Sequence, residues 1–498
     1  MINFNSIKQV CVVGAGTAGW FAALKMRKIL KKDIYISVVA TQEIPTVGVG
    51  EGGILNLMSS LLQLEIPLLE FLKETGAVHK LGFVYEGWRT GCANDKYYHM
   101  FPYLSKHERI NGYYPILSVL TNHNTAVSNI VDSIKLREEN TSQDDLTKMF
   151  VNVQNHNFLS SFHFDTYKVA QYLKKIALSR GIRYIEGKVE KININEKNGD
   201  IESLEVHGKV INSDFIIDAS GFSRVFIGQH FSSKWISLAN KLVMNTAIPF
   251  HLKHPLTNPD LVTRSTAMNS GWLWRIPLQE RVGAGYVFND GFISPEKAID
   301  EVEKKLGHYV EPIRVIKFEA GFFKDIWINN VLAVGLSSGF VEPLEATSIG
   351  QMLMQLELLS RVITETEGIV SDHLIDFYNQ QNRNAWEGIG DFIRMHYDTT
   401  RDDTAFWKST KDIPMSDKYK ELKEIWKYRT PRDYDFADYQ MDLMHHFGTY
   451  SWLAIGQALG HIKAEVTVNE LMNLTAEQRK KLGQDIGEIY QRLGLNPK

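Results

Sequence analysis

Gln9-Val10-Cys11-Val12-Val13-Gly14-Ala15-Gly16-Thr17-Ala18-Gly19 decides how this chain folds. An apolar run of strand length passes straight into Gly-x-Gly-x-x-Gly, and an amphipathic pattern follows from about Thr17 to Lys31. The order predicts a buried strand, a tight turn and a helix. The three glycines differ in what they permit. Gly14 allows the turn, Gly16 lets a pyrophosphate approach the backbone, and Gly19 lets helix and strand pack closely. The helix start, at Thr17 and Ala18, offers amide hydrogens to the phosphates. The stretch therefore predicts an α/β fold of the doubly wound, Rossmann-like kind with a bound dinucleotide.

Working outward, the next strand, Ile34 to Val39, should end in an acid that binds the adenosine ribose. It ends instead in Ala40-Thr41-Gln42, and Glu43 comes too late, so no residue is assigned to the ribose. A glycine-dense loop follows from Pro45 to Gly53, containing Gly48, Gly50 and Glu51, and its backbone can lie flat against a ring system. Ile54 to about Leu72 has a helical pattern. The polar stretch Asn122 to Asp145 reads as an excursion outside the core. Asp165 is placed to cap a helix running to Ser179, and a β-meander around Val189, Ile192 to Ile194 and Leu204 to Val206 comes next. The strand Phe215 to Ile217 ends in Asp218-Ala219-Ser220-Gly221, a second return of the chain to the cofactor. A third return is the strand Val331 to Val334, ending at Gly335, with a helix from about Ala346 to Val362 beyond its loop. Past Asp376 the pattern is helical and rich in tryptophan and tyrosine. The expected organisation is a cofactor-binding domain over 1–370, with β-rich segments embedded at about 80–150 and 240–315. A mostly helical lobe over 371–498 completes the substrate site.

The composition narrows the function classes. The 498 residues are 44% hydrophobic and 23% charged, ordinary for a globular enzyme. With 55 Lys and Arg against 58 Asp and Glu, the net charge of −3 gives no field for gathering nucleic acid or an anionic membrane. Apolar runs are strand-sized and the N-terminus lacks a signal-peptide layout, which predicts a cytoplasmic protein. Two cysteines, Cys11 and Cys92, suggest neither a disulfide framework nor a metal site.

Gly271-Trp272-Leu273-Trp274-Arg275-Ile276-Pro277, read as a strand, puts Trp272, Trp274 and Ile276 on one face. With Gly283-Ala284-Gly285-Tyr286-Val287-Phe288 downstream, it resembles the signature block of the flavin-dependent halogenases, the tryptophan-halogenase-like family. The likeness runs from Gly14 to Trp452 and includes His396-Tyr397, Arg401-Asp402-Asp403, Phe406-Trp407 and Phe447 to Trp452.

The resemblance implies bound FAD, used as reduced FAD, with halide as co-substrate. The product is hypohalous acid, which crosses an internal tunnel. Trp272, Trp274, Ile276 and Pro277 would shield the flavin from the organic substrate. Lys80 would stand at the far end of the tunnel, either forming a haloamine or holding the acid by a hydrogen bond. Glu345, in Pro343-Leu344-Glu345, would activate the halogen donor or take the proton from the substrate; Glu342 is the runner-up, read otherwise as a loop surface acid. Thr347 and Ser348 would bind halide through their amides, with Ser348 and Ile349 also against the flavin; the family usually has glycine where Ser348 stands. His99, Phe101 and Trp452 would face an electron-rich aromatic substrate. Reduced FAD would come from a separate flavin reductase, and a homodimer is left open. An aromatic monooxygenase and a non-catalytic flavin-binding protein are the competing readings. The monooxygenase is disfavoured because Leu336, rather than an aspartate, follows Gly335.

Overall fold

The computed structural model describes residues 1–41, 50–102, 126–151, 158–253, 258–442 and 444–480, with 483, 484 and 491. The glycine stretch does what its sequence predicts: strand Gln9–Val13 leads into helix Thr17–Ile29. That strand lies inside a six-stranded sheet in the order Trp327–Ile328, Val331–Ala333, Phe215–Asp218, Gln9–Val13, Tyr35–Ala40, Arg183–Glu186. All pairings in it are parallel except that of the edge strand Trp327–Ile328. Val10, Cys11, Val12, Ile216, Ile217 and Leu332 are buried in its middle, as expected of parallel strands covered on both faces. The predicted meander is a three-stranded antiparallel sheet of Val189–Ile194, Ile201–Val206 and Lys209–Asn212.

The two embedded β-rich segments join in one seven-stranded sheet. Its order is Ile316–Lys317, Thr246–Lys253, Arg281–Phe288, Gly271–Pro277, Val262–Ala267, Gly82–Glu86, Lys96–Met100. A third, small antiparallel sheet is formed by Glu51–Gly52, Ser161–Phe164 and Val78–Lys80. Helix Asp372–His396 and the segments after it pack on the seven-stranded sheet. Phe392, Tyr397 and Trp452 share one buried cluster with Phe83, Trp272 and Leu344.

Two expectations change. The helical stretch from Ile54 is two helices, Leu55–Gln63 and Leu68–Thr75, because Glu65 takes a positive φ of 53° and Pro67 restarts the chain. The polar stretch is not outside the core: its described part forms helices Asp132–Glu138 and Gln143–Val151, which bury Ile134 and Leu146 beside Val131. Val127, buried in the same cluster, and Leu136, Met149 and Phe150, packed against it, help to seat the stretch despite its many charges. Asp165 caps helix Thr166–Ser179 as predicted, its carboxylate accepting from the amides of Tyr167 at 2.9 Å and Lys168 at 3.2 Å. Asp165→Ala should lower stability by about 1–2 kcal/mol, seen as a lower denaturant midpoint. Among the described residues no single helix is long and apolar enough to cross a membrane.

Candidate functional site

A side chain on Gly14 would begin 2.1 Å from the Ala219 carbonyl oxygen, and one on Gly19 1.8 Å from that of Gly14. Those glycines let turn, helix and returning loop touch. Among the described residues nothing lies within 4 Å of the same point on Gly16, which leaves the opening a phosphate needs. The helix beyond has no acid in its first turn to repel an anion. The residues present therefore fit a dinucleotide. Asp218 is fully buried, and its carboxylate is taken up by its own loop, accepting from Ser220, Phe226 and Ile227. It shapes the loop whose backbone reaches Gly14. Gly335 sits at φ 62°, and its amide donates to Gln355 Oε1 at 3.0 Å. Val189 is half-buried against the main core. Gly50 has φ 118° and faces Leu278, and burial raises the Glu51 carboxyl to about 7. Gly48 lies outside the described residues.

Lys80 ends strand Val78–Lys80 and is 0% exposed. Its Nζ has no hydrogen-bond partner among the described residues and lies 3.7 Å from the centroid of the Phe83 ring and 5.7 Å from that of Phe101. An ammonium there would leave its N–H groups unsatisfied, a heavy cost in a dry interior. Burial accordingly drives the Lys80 pKa well below its usual value, with Glu345 pulling the other way. Below Nζ is Gly52, on which a Cβ would stand 2.8 Å away, with His163 and Thr263 around the same point.

Glu345 is also 0% exposed. Tyr85 donates to its Oε1 at 2.6 Å, His396 Nε2 to Oε1 at 3.0 Å, and His99 Nδ1 to Oε2 at 2.9 Å. Burial alone would raise this carboxyl, but His99 and His396 outweigh it by charge and hydrogen bonding and hold it well below the usual range. Outer partners orient the histidines: Ser451 Oγ lies 3.0 Å from His99 Nε2 and the Tyr97 hydroxyl 3.4 Å from His396 Nδ1. Phe83 bridges Lys80 and this network, its ring 5.9 Å from His99 and 6.1 Å from Phe101.

Strand Gly271–Pro277 places Trp272 and Trp274 side by side, centroids 6.3 Å apart and both buried. Trp274 lies flat on Gly285, where a Cβ would overlap its ring at 2.1 Å. Ile276 packs at the edge of the same cluster. Glu342 is not a surface acid: it is 0% exposed, accepting from Trp272 Nε1 at 2.8 Å and the Tyr397 hydroxyl at 2.5 Å. Its loop carries it inward because Val341 and Leu344 on either side are core residues.

Helix Thr347–Glu365 begins after Ala346, which takes a left-handed φ of 54° and supplies no side-chain cap. Among the described residues the first-turn amides of Thr347, Ser348 and Ile349 thus receive no side-chain cap, and Thr347 Oγ1 is buried without a partner. Strain beside uncapped amides is the usual setting of an anion site. Trp452 sits deeper, stacked on Phe436 at 5.0 Å and Tyr439 at 6.0 Å, with Phe392 between it and His99.

The structure thus brings Lys80, His99, Phe101 and Glu345 together and leaves Trp452 one ring behind. Sequence reasoning missed Phe83, Tyr85, His163 and His446 and gave His396 no role. His396 lay in a quoted block, but nothing local marked Tyr85. Both ring nitrogens of His446 are buried and unpartnered among the described residues, and its ring lies against Gly350 of helix Thr347–Glu365.

The described residues thus hold a dinucleotide-type cradle, a buried amine, a pinned carboxylate and a strand with two buried tryptophans. The sequence matches the tryptophan halogenase family over residues 9–471, and the chain belongs to that family of flavin-dependent enzymes. Among its relatives is an uncharacterized protein of Sinorhizobium fredii, y4xG, 33% identical over 489 residues covering 97% of this chain and 95% of that one. Tryptophan 7-halogenase RebH of Lentzea aerocolonigenes is 29% identical over 448 residues, covering 84% and 82%. Xcc4156, a flavin-dependent halogenase from Xanthomonas campestris, superposes with a TM-score of 0.82 at 26% identity, covering 98% and 95%.

Proposed function

We propose that this enzyme uses reduced FAD, oxygen and a halide ion to halogenate a small electron-rich aromatic compound, such as an indole, a tryptophan-like molecule or a phenol. A bound flavin would supply the oxygen activation that turns halide into hypohalous acid. A separate flavin reductase would deliver the reduced FAD, since the chain carries one dinucleotide fingerprint. The amides of Thr347 and Ser348 hold the halide, and Trp272, Trp274, Ile276 and Pro277 keep the organic substrate from the flavin.

The observation that carries this reading is the buried amine of Lys80, without a hydrogen-bond partner among the described residues, next to a carboxylate pinned by two histidines and a tyrosine. A neutral amine attacks the halogen of hypohalous acid, forming an N–halogen bond and releasing water. The halogen then passes to the aromatic carbon between Lys80 and Glu345. The proton leaving that carbon goes to Glu345 and returns to the Lys80 nitrogen, so one C–H becomes one C–halogen bond. His99 and Phe101 flank the ring.

Mass spectrometry of indoles and phenols incubated with the protein, FAD, a flavin reductase, NADH, oxygen and chloride or bromide tests the reading. Halide-shifted masses support it, and hydroxylated products would replace it with a monooxygenase. Ser348→Gly removes a β-carbon beside the anion and should change the ratio of bromide to chloride incorporation by roughly 2- to 10-fold; an unchanged ratio in a competition assay would detach Ser348 from halide choice. His396→Ala removes one donor from Glu345 while burial remains, so the carboxyl pKa rises. Because the ionised form works, the acid limb of the pH–rate profile should move to higher pH, with the loss of rate greatest at the low end.

A further inference from the structure

Glu342 takes no part in those steps, yet it is as buried as Glu345, three residues away. The two carboxyls are laid out in parallel. Glu345 holds His396 and Glu342 holds Tyr397, and the ring of Trp88 packs against both partners, 6.0 Å and 5.3 Å away. The oxygens of Glu342 differ sharply. Oε2 accepts two hydrogen bonds, from Trp272 Nε1 and from the Tyr397 hydroxyl, whereas Oε1 is buried with no partner among the described residues.

An indole in an apolar wall has one polar handle, and a carboxyl fixed on that handle sets the rotation of the ring. A buried oxygen left over on the same carboxyl is a vacancy for something that hydrogen-bonds. We infer that Glu342 latches Trp272 in the flavin shield through Oε2 and uses Oε1 as a hydrogen-bonding station for hypohalous acid on its way to Lys80. The inference rests on the halogenase reading above.

The charge state supports it. Burial pushes the Glu342 carboxyl up to about 7, against the hydrogen bonds of Tyr397 and Trp272. Below that pH the carboxyl is neutral and, with Oε2 accepting twice, offers its hydroxyl at Oε1 to the oxygen of the oxidant. Above it, the carboxylate has no hydrogen to offer the oxygen of the oxidant, and any oxidant that ionises to hypohalite meets an anion that repels it. The titratable group that faces Glu342 is Tyr397, whose own hydroxyl burial keeps protonated, with Glu342 adding to the effect. Glu345 and its histidines lie across Trp88.

The test runs the full enzyme with reduced FAD, bromide, an indole it brominates and a β-diketone scavenger of free hypobromous acid. The scavenger's share of the bromine is read at pH 6 and pH 8.5. For the wild type the share should be small at pH 6 and rise several-fold by pH 8.5. Glu342→Gln keeps an acceptor for Trp272 and Tyr397 and a donor at the free position, so its share should rise between the two pH values only by the part due to the oxidant's own ionisation, well short of the wild-type rise. Glu342→Val should leak several-fold more than wild type at both. Ionisation of hypobromous acid itself would persist in the Gln variant and is thereby separated. A Gln variant that keeps the wild-type rise, or a Val variant that binds flavin and leaks no more than wild type, overturns the inference. A wild type that brominates neither acceptor overturns the halogenase reading with it.

Discussion

Lys80→Ala should reduce halogenated product by at least ~10³-fold, because no other group replaces a covalent or hydrogen-bonded carrier at that point, while reduced flavin is consumed at an unchanged rate. The two observables separate because Lys80 belongs to the small sheet, whereas the fingerprint at Gly14 to Gly19 follows a strand of the six-stranded sheet. Removing the side chain also opens a void against Phe83, over which Nζ rests, so flavin binding must be confirmed in the same preparation. Lys80→Met, which fills the space without a nucleophilic nitrogen, should be equally inactive. Regioselective halogenation surviving in Lys80→Met would transfer the carrier role to another group.

Glu345→Gln should cut turnover by ~10²-fold or more, the range for loss of a positioned base. The amide cannot take a proton, and its NH2 would meet donors at Tyr85, His99 or His396, so the network that fixes the geometry is also disturbed. Comparing substrate carrying hydrogen or deuterium at the reacting carbon distinguishes the two effects. If proton removal has become slow, an isotope effect absent from wild type appears. A near-native rate would place the base elsewhere. Glu345 also opposes the lowering of the Lys80 pKa, so the Gln variant should make Lys80 easier still to keep neutral.

Much of this was legible in the sequence for reasons of range. The fingerprint, the meander, the Asp165 cap and the tryptophan strand are local signals, each written within a few residues whose spacing dictates geometry. Lys80 and Glu345 were reached through resemblance, since nothing in the residues around Lys80 distinguishes a buried lysine from a solvated one. What stayed hidden depends on contacts across the chain. Tyr85 reaches Glu345 over 260 positions and His99 reaches it over 246. Glu342 looked like a loop acid because its partners, Trp272 and Tyr397, come from a strand and a helix end far from it in sequence. The polar stretch Asn122 to Asp145 misled because its charge count outweighed the apolar residues that anchor it.

Helix Asp372–His396 ties two ends of the protein to one measure of length. Near its start, Asn379 accepts from the amides of Ile326 and Trp327 beside the flavin sheet, and Asn382 accepts from Gln355, which in turn holds Gly335. Its last residue is His396, on Glu345. Asn379 and His396 are about 25 Å apart along the axis at ~1.5 Å per residue, so the helix acts as a ruler between the edge of the six-stranded sheet and the Glu345 carboxylate, the two ends to which the proposed reaction assigns the making of the oxidant and its use. A single residue inserted midway would leave the cofactor end seated and swing His396 around the axis by about 100°. Such a protein would still bind and oxidise flavin while its second half-reaction had lost its alignment, which makes the turn count of one helix a determinant of coupling.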